Sequence, residues 1–138
     1  MTVARLRTLT RKPTRLQAIA NNLLGEVVQV MDRRLDTALK TMQTEPAPKP
    51  DSTYVRTHIY ARNWRRTDVR LTGAGLVGTI SNPVRYALFV GGNEAGLGQV
   101  PMHRDTGWPL LAVALRDQRG LSFGREIQKT LHQVIEGA

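Results

Sequence analysis

The chain has no cysteine. That absence excludes a disulfide framework, a thiolate nucleophile and any cysteine-based zinc site, and it suits a reducing compartment. Acidic residues are scarce, 11 Asp and Glu against 20 Lys and Arg, which leaves a formal net charge of +9. Aromatic residues make up only 5%. No long apolar run exists. The longest, "PLLAVAL" from Pro109, falls far short of the roughly 20 residues a spanning helix needs, so no membrane partner is expected. What remains is a chain of 138 residues with 41% apolar and 22% charged residues, enough for one domain with one core. A cationic surplus of this size favours a polyanionic neighbour, either nucleic acid or an acidic protein face.

The first residues, "MTVARLRTLTRKP", contain Arg5, Arg7, Arg11 and Lys12 and no acid. Their composition is close to that of a transit peptide, but they lack the apolar stretch of a secretory signal. They are read as a basic N-terminal arm, residues 1–13, ahead of a single domain at 14–138. From residue 14 to 43, Leu16, Ile19, Ala20, Leu23, Val27, Val30, Met31, Leu35, Ala38, Leu39 and Met42 recur at three- and four-residue steps. That is one face of an amphipathic helix. "TRLQ" at Thr14 to Gln17 predicts a capping box. Such a helix would run ~45 Å, long for so small a domain, so part of its apolar face is expected to serve a neighbouring subunit. Pro46, Pro48 and Pro50 then end it and predict an extended linker over 46–50.

From Tyr54 to Val90 the pattern reads as β-structure with loops. "DVRLTGAGLVGTI" predicts a hairpin turning at "TGAG". Asn82 and Pro83 signal a further turn. Val84 to Val90 fits a strand or a short helix equally well. "GGNEAGLGQ" is a glycine-rich loop. "WPLLAVALRD" predicts a helix opened by Pro109 and broken by Gly120. "SFGREIQKTLHQVIEG" predicts a last helix with Phe123, Ile127, Leu131, Val134 and Ile135 on one face. The expected fold class is α+β, with a long N-terminal and a C-terminal helix packed on a small antiparallel sheet.

Motifs for catalysis are thin. "DTG" at Asp105 to Gly107 matches the aspartic-protease triplet, but no apolar strand precedes it and helical sequence follows. "HRD" at His103 to Asp105 lacks the other parts of a kinase site. His58, His103 and His132 show no metal-ligand spacing, and the glycine loop matches no nucleotide-binding pattern. No catalytic residue, cofactor or metal is therefore expected. The segment "YVRTHIYARNWRRTDVR" interleaves Arg56, Arg62, Arg65, Arg66 and Arg70 with Tyr54, Tyr60 and Trp64. Arginines beside aromatics can grip phosphates and stack on bases. No recognition-helix pattern accompanies them, so contact without sequence readout is expected. A solvated strand face would have much the same composition.

In their order, the segments "RTHIYARNW" at Arg56 to Trp64, "NPVRYALFVGG" at Asn82 to Gly92, His103, and "GW" at Gly107 and Trp108 resemble the tail-completion or head–tail joining (neck) proteins of long-tailed bacteriophages. The resemblance runs from about residue 14 to 137, with the letters concentrated in the middle. It departs at "THIY", where that family carries glycine in place of His58 and leucine in place of Tyr60. It implies a structural virion protein without enzymatic activity. Such a protein would complete the tail and join it to the head connector as part of a ring, usually hexameric. Its implied partners are copies of itself, the head connector or stopper, and the tail tube or tail terminator. DNA would pass through the lumen without sequence readout. It would reside in the virion neck, and in the host cytoplasm during assembly. Asn82, Tyr86, Phe89, His103 and Trp108 would then be scaffold residues, with Tyr86 and Phe89 packed onto the sheet. Arg5, Arg7, Arg11, Lys12, Arg62, Arg65, Arg66 and Arg70 would meet DNA or acidic partner surfaces. Three other readings stay open from sequence alone: a small basic DNA-binding protein, an enzyme that uses Asp105, and a neighbouring minor head or tail-terminator protein.

Overall fold

The computed structural model describes residues 14–137; the basic arm at 1–13 lies outside the described residues. Helix α1 spans Arg15–Gln43. It begins where the sequence places it, because two local hydrogen bonds close its first turn. Thr14 Oγ1 accepts from the Gln17 amide at 3.2 Å, and Gln17 Oε1 accepts from the Thr14 amide at 2.9 Å, the reciprocal arrangement of a capping box. Thr44 ends the helix in an extended conformation, two residues before the first of the three prolines.

The segment between α1 and the next helix is more than a spacer. The Arg56 guanidinium donates to the carbonyl of Pro46 and lies 4.9 Å above the ring of Trp108. The proline-rich strap is thereby tied to the body. Helix α2, Ile59–Arg62, follows a left-handed residue, His58, with φ 63°. This single turn differs from the β-structure that the sequence pattern predicts for the whole stretch.

Strands β1 (Arg65–Arg66), β2 (Arg70–Thr72), β3 (Gly75–Val77) and β4 (Ile80–Ser81) form two two-stranded antiparallel sheets, β1–β4 and β2–β3, the inner and outer parts of one hairpin parted by a bulge. Arg66 pairs with Ile80 and Thr67 donates to Thr79 O at 2.9 Å. Beyond them Arg70 pairs with Val77 and Thr72 with Gly75. Asp68 and Val69 therefore oppose the single residue Gly78, the two-against-one count of a β-bulge. The Val69 amide has no strand partner there. It donates instead to Asp32 Oδ1 on α1 at 3.2 Å. A Cβ on Gly78 would stand 2.8 Å from Leu35 Cδ2 and 3.0 Å from Val69 Cγ2, so glycine lets the hairpin lie close against α1.

Helices α3 (Ala87–Gly91), α4 (Pro101–Thr106), α5 (Leu111–Arg119) and α6 (Leu121–Glu136) complete the chain. Helix α5 begins at Leu111 after its cap residue Leu110, so Pro109 stands just ahead of the helix and not in its first turn, while Gly120 ends it as expected. The core gathers Ala38 and Met42 of α1, Tyr60 of α2, Trp64, Val90 of α3 and Ala114 of α5, with Leu39, Ile80, Trp108, Leu111 and Leu115 packed around them. Nearer the N-terminal half of α1, Val30 is buried, and on α6 Thr130 and Val134 are buried. Of the expected α6 face, Phe123 and Ile127 are half-buried, while Leu131 and Ile135 are exposed. Arg34 fastens α1 to the corner between α5 and α6. It donates to Glu126 Oε2 at 2.9 Å and Ser122 Oγ at 3.2 Å and lies 5.3 Å from the ring of Phe123. The fold is α+β, a long N-terminal helix and a C-terminal helix with a small antiparallel β-element.

Candidate functional site

Arg62, Arg65, Arg66 and Arg70 begin as one cluster in sequence and part company in space. Neighbouring residues of a strand point to opposite faces, and β1 uses this to divide Arg65 from Arg66. Arg65 is exposed, as are Arg62 at the end of α2 and Arg70 on β2. Arg66 turns inward, with its side chain 18% exposed. Its Nε donates to Asp36 Oδ1 at 2.6 Å and its Nη1 to Asp32 Oδ1 at 2.8 Å. Burial opposes its charge, but the hydrogen bonds and charges of the two aspartates outweigh that and raise its pKa. The charge of Arg66 thus serves to hold the hairpin to α1. Asp32 and Asp36 share a face of α1 at i, i+4, a spacing that could have signalled a cation held between them. Arg5, Arg7, Arg11 and Lys12 lie outside the described residues.

The aromatics between these arginines do not serve as a stacking surface. Tyr60 and Trp64 are buried in the core. Tyr60 meets Trp64 edge-on at 5.7 Å and Trp108 edge-on at 5.4 Å. Tyr54 alone of the three is well exposed. The expectation of arginines interleaved with base-stacking rings is corrected accordingly, because the core needs the large rings of Tyr60 and Trp64.

The scaffold residues divide in the same way. Asn82 Nδ2 donates to Tyr60 O at 2.9 Å while its Oδ1 accepts from the Val84 amide at 3.0 Å. It turns the chain and ties that turn to α2. Trp108 stands between Tyr60 and His103, whose ring lies edge-on at 6.2 Å. Partial burial, with the nearby Arg56 charge, lowers the pKa of His103. Asn82, His103 and Trp108 thus converge around Tyr60. Tyr86 and Phe89 do not. They are 40% and 50% exposed, and the expectation that they pack onto the sheet is corrected. The short helix turns Val90 and Gly91 inward instead. A Cβ at Gly91 would collide with Tyr60 Oη and come within 3.1 Å of Met42 Cε. Gln99 carries no signal in the sequence pattern. Its Nε2 donates to both Val90 O and Trp108 O at 2.9 Å, joining α3 to the residues ahead of α5.

Asp105 lies inside α4, exposed and 3.8 Å from Arg104, rather than on the loop of a β-rich body. No group of three or more metal-ligating side chains occurs among the described residues. No described helix is long and apolar enough to cross a membrane. A trough of about 680 Å³ lies between α1, the hairpin and the α5–α6 corner. Its apolar lining includes Met31, Leu35, Leu76, Leu111, Leu115 and Phe123. A smaller hollow of about 250 Å³ lies between the strap and α4, against Arg56, His103 and Trp108. Comparison with protein-family models, curated proteins and solved structures gives no match to this chain.

Proposed function

We propose that this chain is a structural protein of a bacteriophage neck, completing the tail and joining it to the head connector as part of a ring through which DNA passes. The observation that carries the reading concerns His58. It stands where the resembled family has glycine, and its backbone is left-handed, φ 63°, the region in which glycine is the ordinary residue. A left-handed backbone at this position is what a glycine there would supply, and the His58 ring has Glu45 Oε2 2.7 Å from its Nδ1. Further support comes from Asn82 and Trp108, two residues of the resemblance that join separate elements around Tyr60. In this reading Arg62, Arg65 and Arg70 face the DNA backbone or an acidic partner surface without reading sequence.

The test is removal of the gene from the genome that carries it, followed by imaging of the particles released. Filled heads and finished tails that remain apart are expected, with joining restored by the protein supplied in trans. Normally joined particles would sink the reading. The exposed Arg62, Arg65 and Arg70 also favour a second reading, a small DNA-binding protein. That reading requires duplex affinity in the isolated chain that falls steeply with salt.

A further inference from the structure

The hairpin has one guarded edge and one open edge. Along β1 and β2, Arg65 to Thr72 carry three arginines and Asp68, and Asp32 takes the amide at the bulge. Charges and bulges are what keep a sheet edge from pairing further. The returning strand, Gly75 to Ser81 through β3 and β4, has no charge and no proline, and Val77, Thr79 and Ile80 are β-branched.

The backbone of that strand is free to pair. Thr67 donates to Thr79 O, so the next pair, Arg66 with Ile80, is of the kind that exchanges no hydrogen bonds. Thr72 and Gly75 close a two-residue turn, which makes Leu71 with Leu76 the same kind. The N–H and C=O groups of Leu76 and Ile80 therefore point away from the partner strand. They have no other hydrogen-bond partner among the described residues.

The trough lies along this open edge. Five consecutive residues, Leu76 to Ile80, line it, whereas a strand showing one face would contribute alternate residues. Leu35 and Ala38 of α1 and Leu111 and Leu115 of α5 line it too, so apolar side chains of an added strand would be buried there. Its volume of about 680 Å³ lies within the range of roughly 300–1,000 Å³ that binding pockets occupy.

Charge adds a direction. Glu94 and Arg119 both stand at the trough, and neither has an ion-pair partner among the described residues. A Cβ on Gly92 would lie 3.1 Å from Leu110 Cδ2, and one on Gly96 3.6 Å from Ala112 Cβ, so the loop that carries Glu94 sits at the start of α5. Arg119 ends α5, ~10 Å further along the helix axis. That distance is about three residues of extended chain.

We propose that the β3–β4 edge accepts an extended segment of another protein as a third strand. Apolar residues at alternate positions of the segment face α1, a basic residue meets Glu94 and an acidic one meets Arg119. The chain's own residues 1–13 offer bases but no acid, and its own Gly75 to Ser81 offers neither, so a different chain fits the edge better than either. The inference goes beyond the neck reading and does not depend on it.

The probe is the synthetic peptide acetyl-Thr-Lys-Val-Thr-Ile-Glu-Val-Thr-amide, titrated into the full chain and followed by amide NMR with hydrogen exchange. Exchange at the amides of Leu76 and Ile80 is expected to slow on binding, and that of Leu71 on the guarded edge to stay as it was. Two further peptides separate strand pairing from simple burial of apolar side chains. One is N-methylated at its second, fourth and sixth residues, the other at its third, fifth and seventh. One set is expected to abolish binding and the other to spare it, because alternate residues of a strand turn their N–H groups to the same side. Arg119→Glu is expected to weaken binding by roughly tenfold, and a peptide with Lys in place of its Glu to restore it. No binding at millimolar peptide overturns the proposal, as does protection at Leu71 instead, tolerance of both N-methylated sets, or charge reversal without restoration. Slow exchange at Leu76 and Ile80 in the free chain overturns it too, since the chain's own first residues or a second copy would then hold the edge. Failure of the neck reading would look different: a chain that binds the peptide in this way yet is dispensable for joining heads to tails.

Discussion

The guanidinium of Arg66 and the carboxylate of Asp32 meet at 2.8 Å, and the same carboxylate oxygen accepts the amide of Val69 at 3.2 Å. One α1 side chain thus both pairs a strand cation and satisfies the amide that the bulge leaves without a strand partner. A buried amide left unpaired costs free energy comparable to a missing hydrogen bond.

Arg66→Ala is expected to destabilise the fold by about 1–2 kcal/mol, since hydrogen bonds to charged groups are stronger than neutral ones but these carboxylates are partly open to water. Arg66→Lys should recover only part of this, because one ammonium cannot reproduce a guanidinium held between two carboxylates. Asp32→Asn keeps an acceptor for Val69 and loses the charge, so it should cost less than Asp32→Ala. Chemical denaturation of the four variants checks the order. Equal losses for Asp32→Asn and Asp32→Ala would refute the role given to the Val69 amide.

Two glycine substitutions should have opposite signs. Gly91→Ala drives a methyl group against Tyr60 Oη and Met42 Cε, and overpacking of this kind costs about 1–3 kcal/mol. Gly25→Ala meets nothing within 4 Å and exchanges a poor helix residue for the best one, a gain of up to about 1 kcal/mol. Thermal melts should therefore move down for the first and up for the second. A stabilising Gly91→Ala would contradict the packing of α3 on Tyr60.

Alkaline pH should unfold the protein through Tyr60. Burial pushes its pKa from 10.0 up to about 12, while the neighbouring Trp64 indole acts to lower it. Neither Tyr60 Oη nor Trp64 Nε1 reaches hydrogen-bonding geometry with a partner in the described structure. A folded-state pKa above the unfolded value means that the unfolded chain loses its proton first. The stability contributed by neutral Tyr60 is complete below pH 10 and is lost as pH rises towards 12. Tyr60→Phe should flatten this alkaline decline at little cost near neutrality, since the hydroxyl has no bonded partner. Melting temperatures followed across that interval give the answer, and an unchanged decline in the variant would remove Tyr60 as its cause.

The arginines should separate by function. Replacing Arg62, Arg65 and Arg70 with alanine should leave stability within ~0.5 kcal/mol, as surface substitutions usually do. If these side chains meet phosphates, the salt dependence of duplex binding should become shallower by roughly 0.9 for each phosphate that is no longer neutralised. Arg66→Ala should show the reverse pattern, a stability loss with an unchanged salt slope in the folded fraction. Titrations at several salt concentrations distinguish the two behaviours.

Long, locally determined elements are the ones legible in the sequence. Helix α1 follows from the spacing of its apolar residues and from Thr14 and Gln17, which bond to each other three residues apart. The hairpin is legible from "TGAG" at its tip. Its bulge is not, because the partner of the Val69 amide is a side chain 37 residues away. Helix α2 is hidden for a related reason: its start depends on a left-handed His58, and "RTHIYARNW" carries no glycine to announce the turn. Size alone would send Tyr86 and Phe89 to the core. Only the contact between Gly91 and Tyr60 decides which side of that short helix faces in. The trough leaves no mark in any one segment, being built from α1, the hairpin and the α5–α6 corner.

A two-stranded hairpin standing alone is barely stable in water, and this one has an amide at its bulge bonded to a helix. Its bulge amide is satisfied only where Asp32 of α1 lies against it, so the hairpin borrows part of its stability from the helix. If the hairpin docks after the rate-limiting step, substitutions at Asp32 should speed unfolding more than they slow folding; an equal effect on both rates would place the contact earlier.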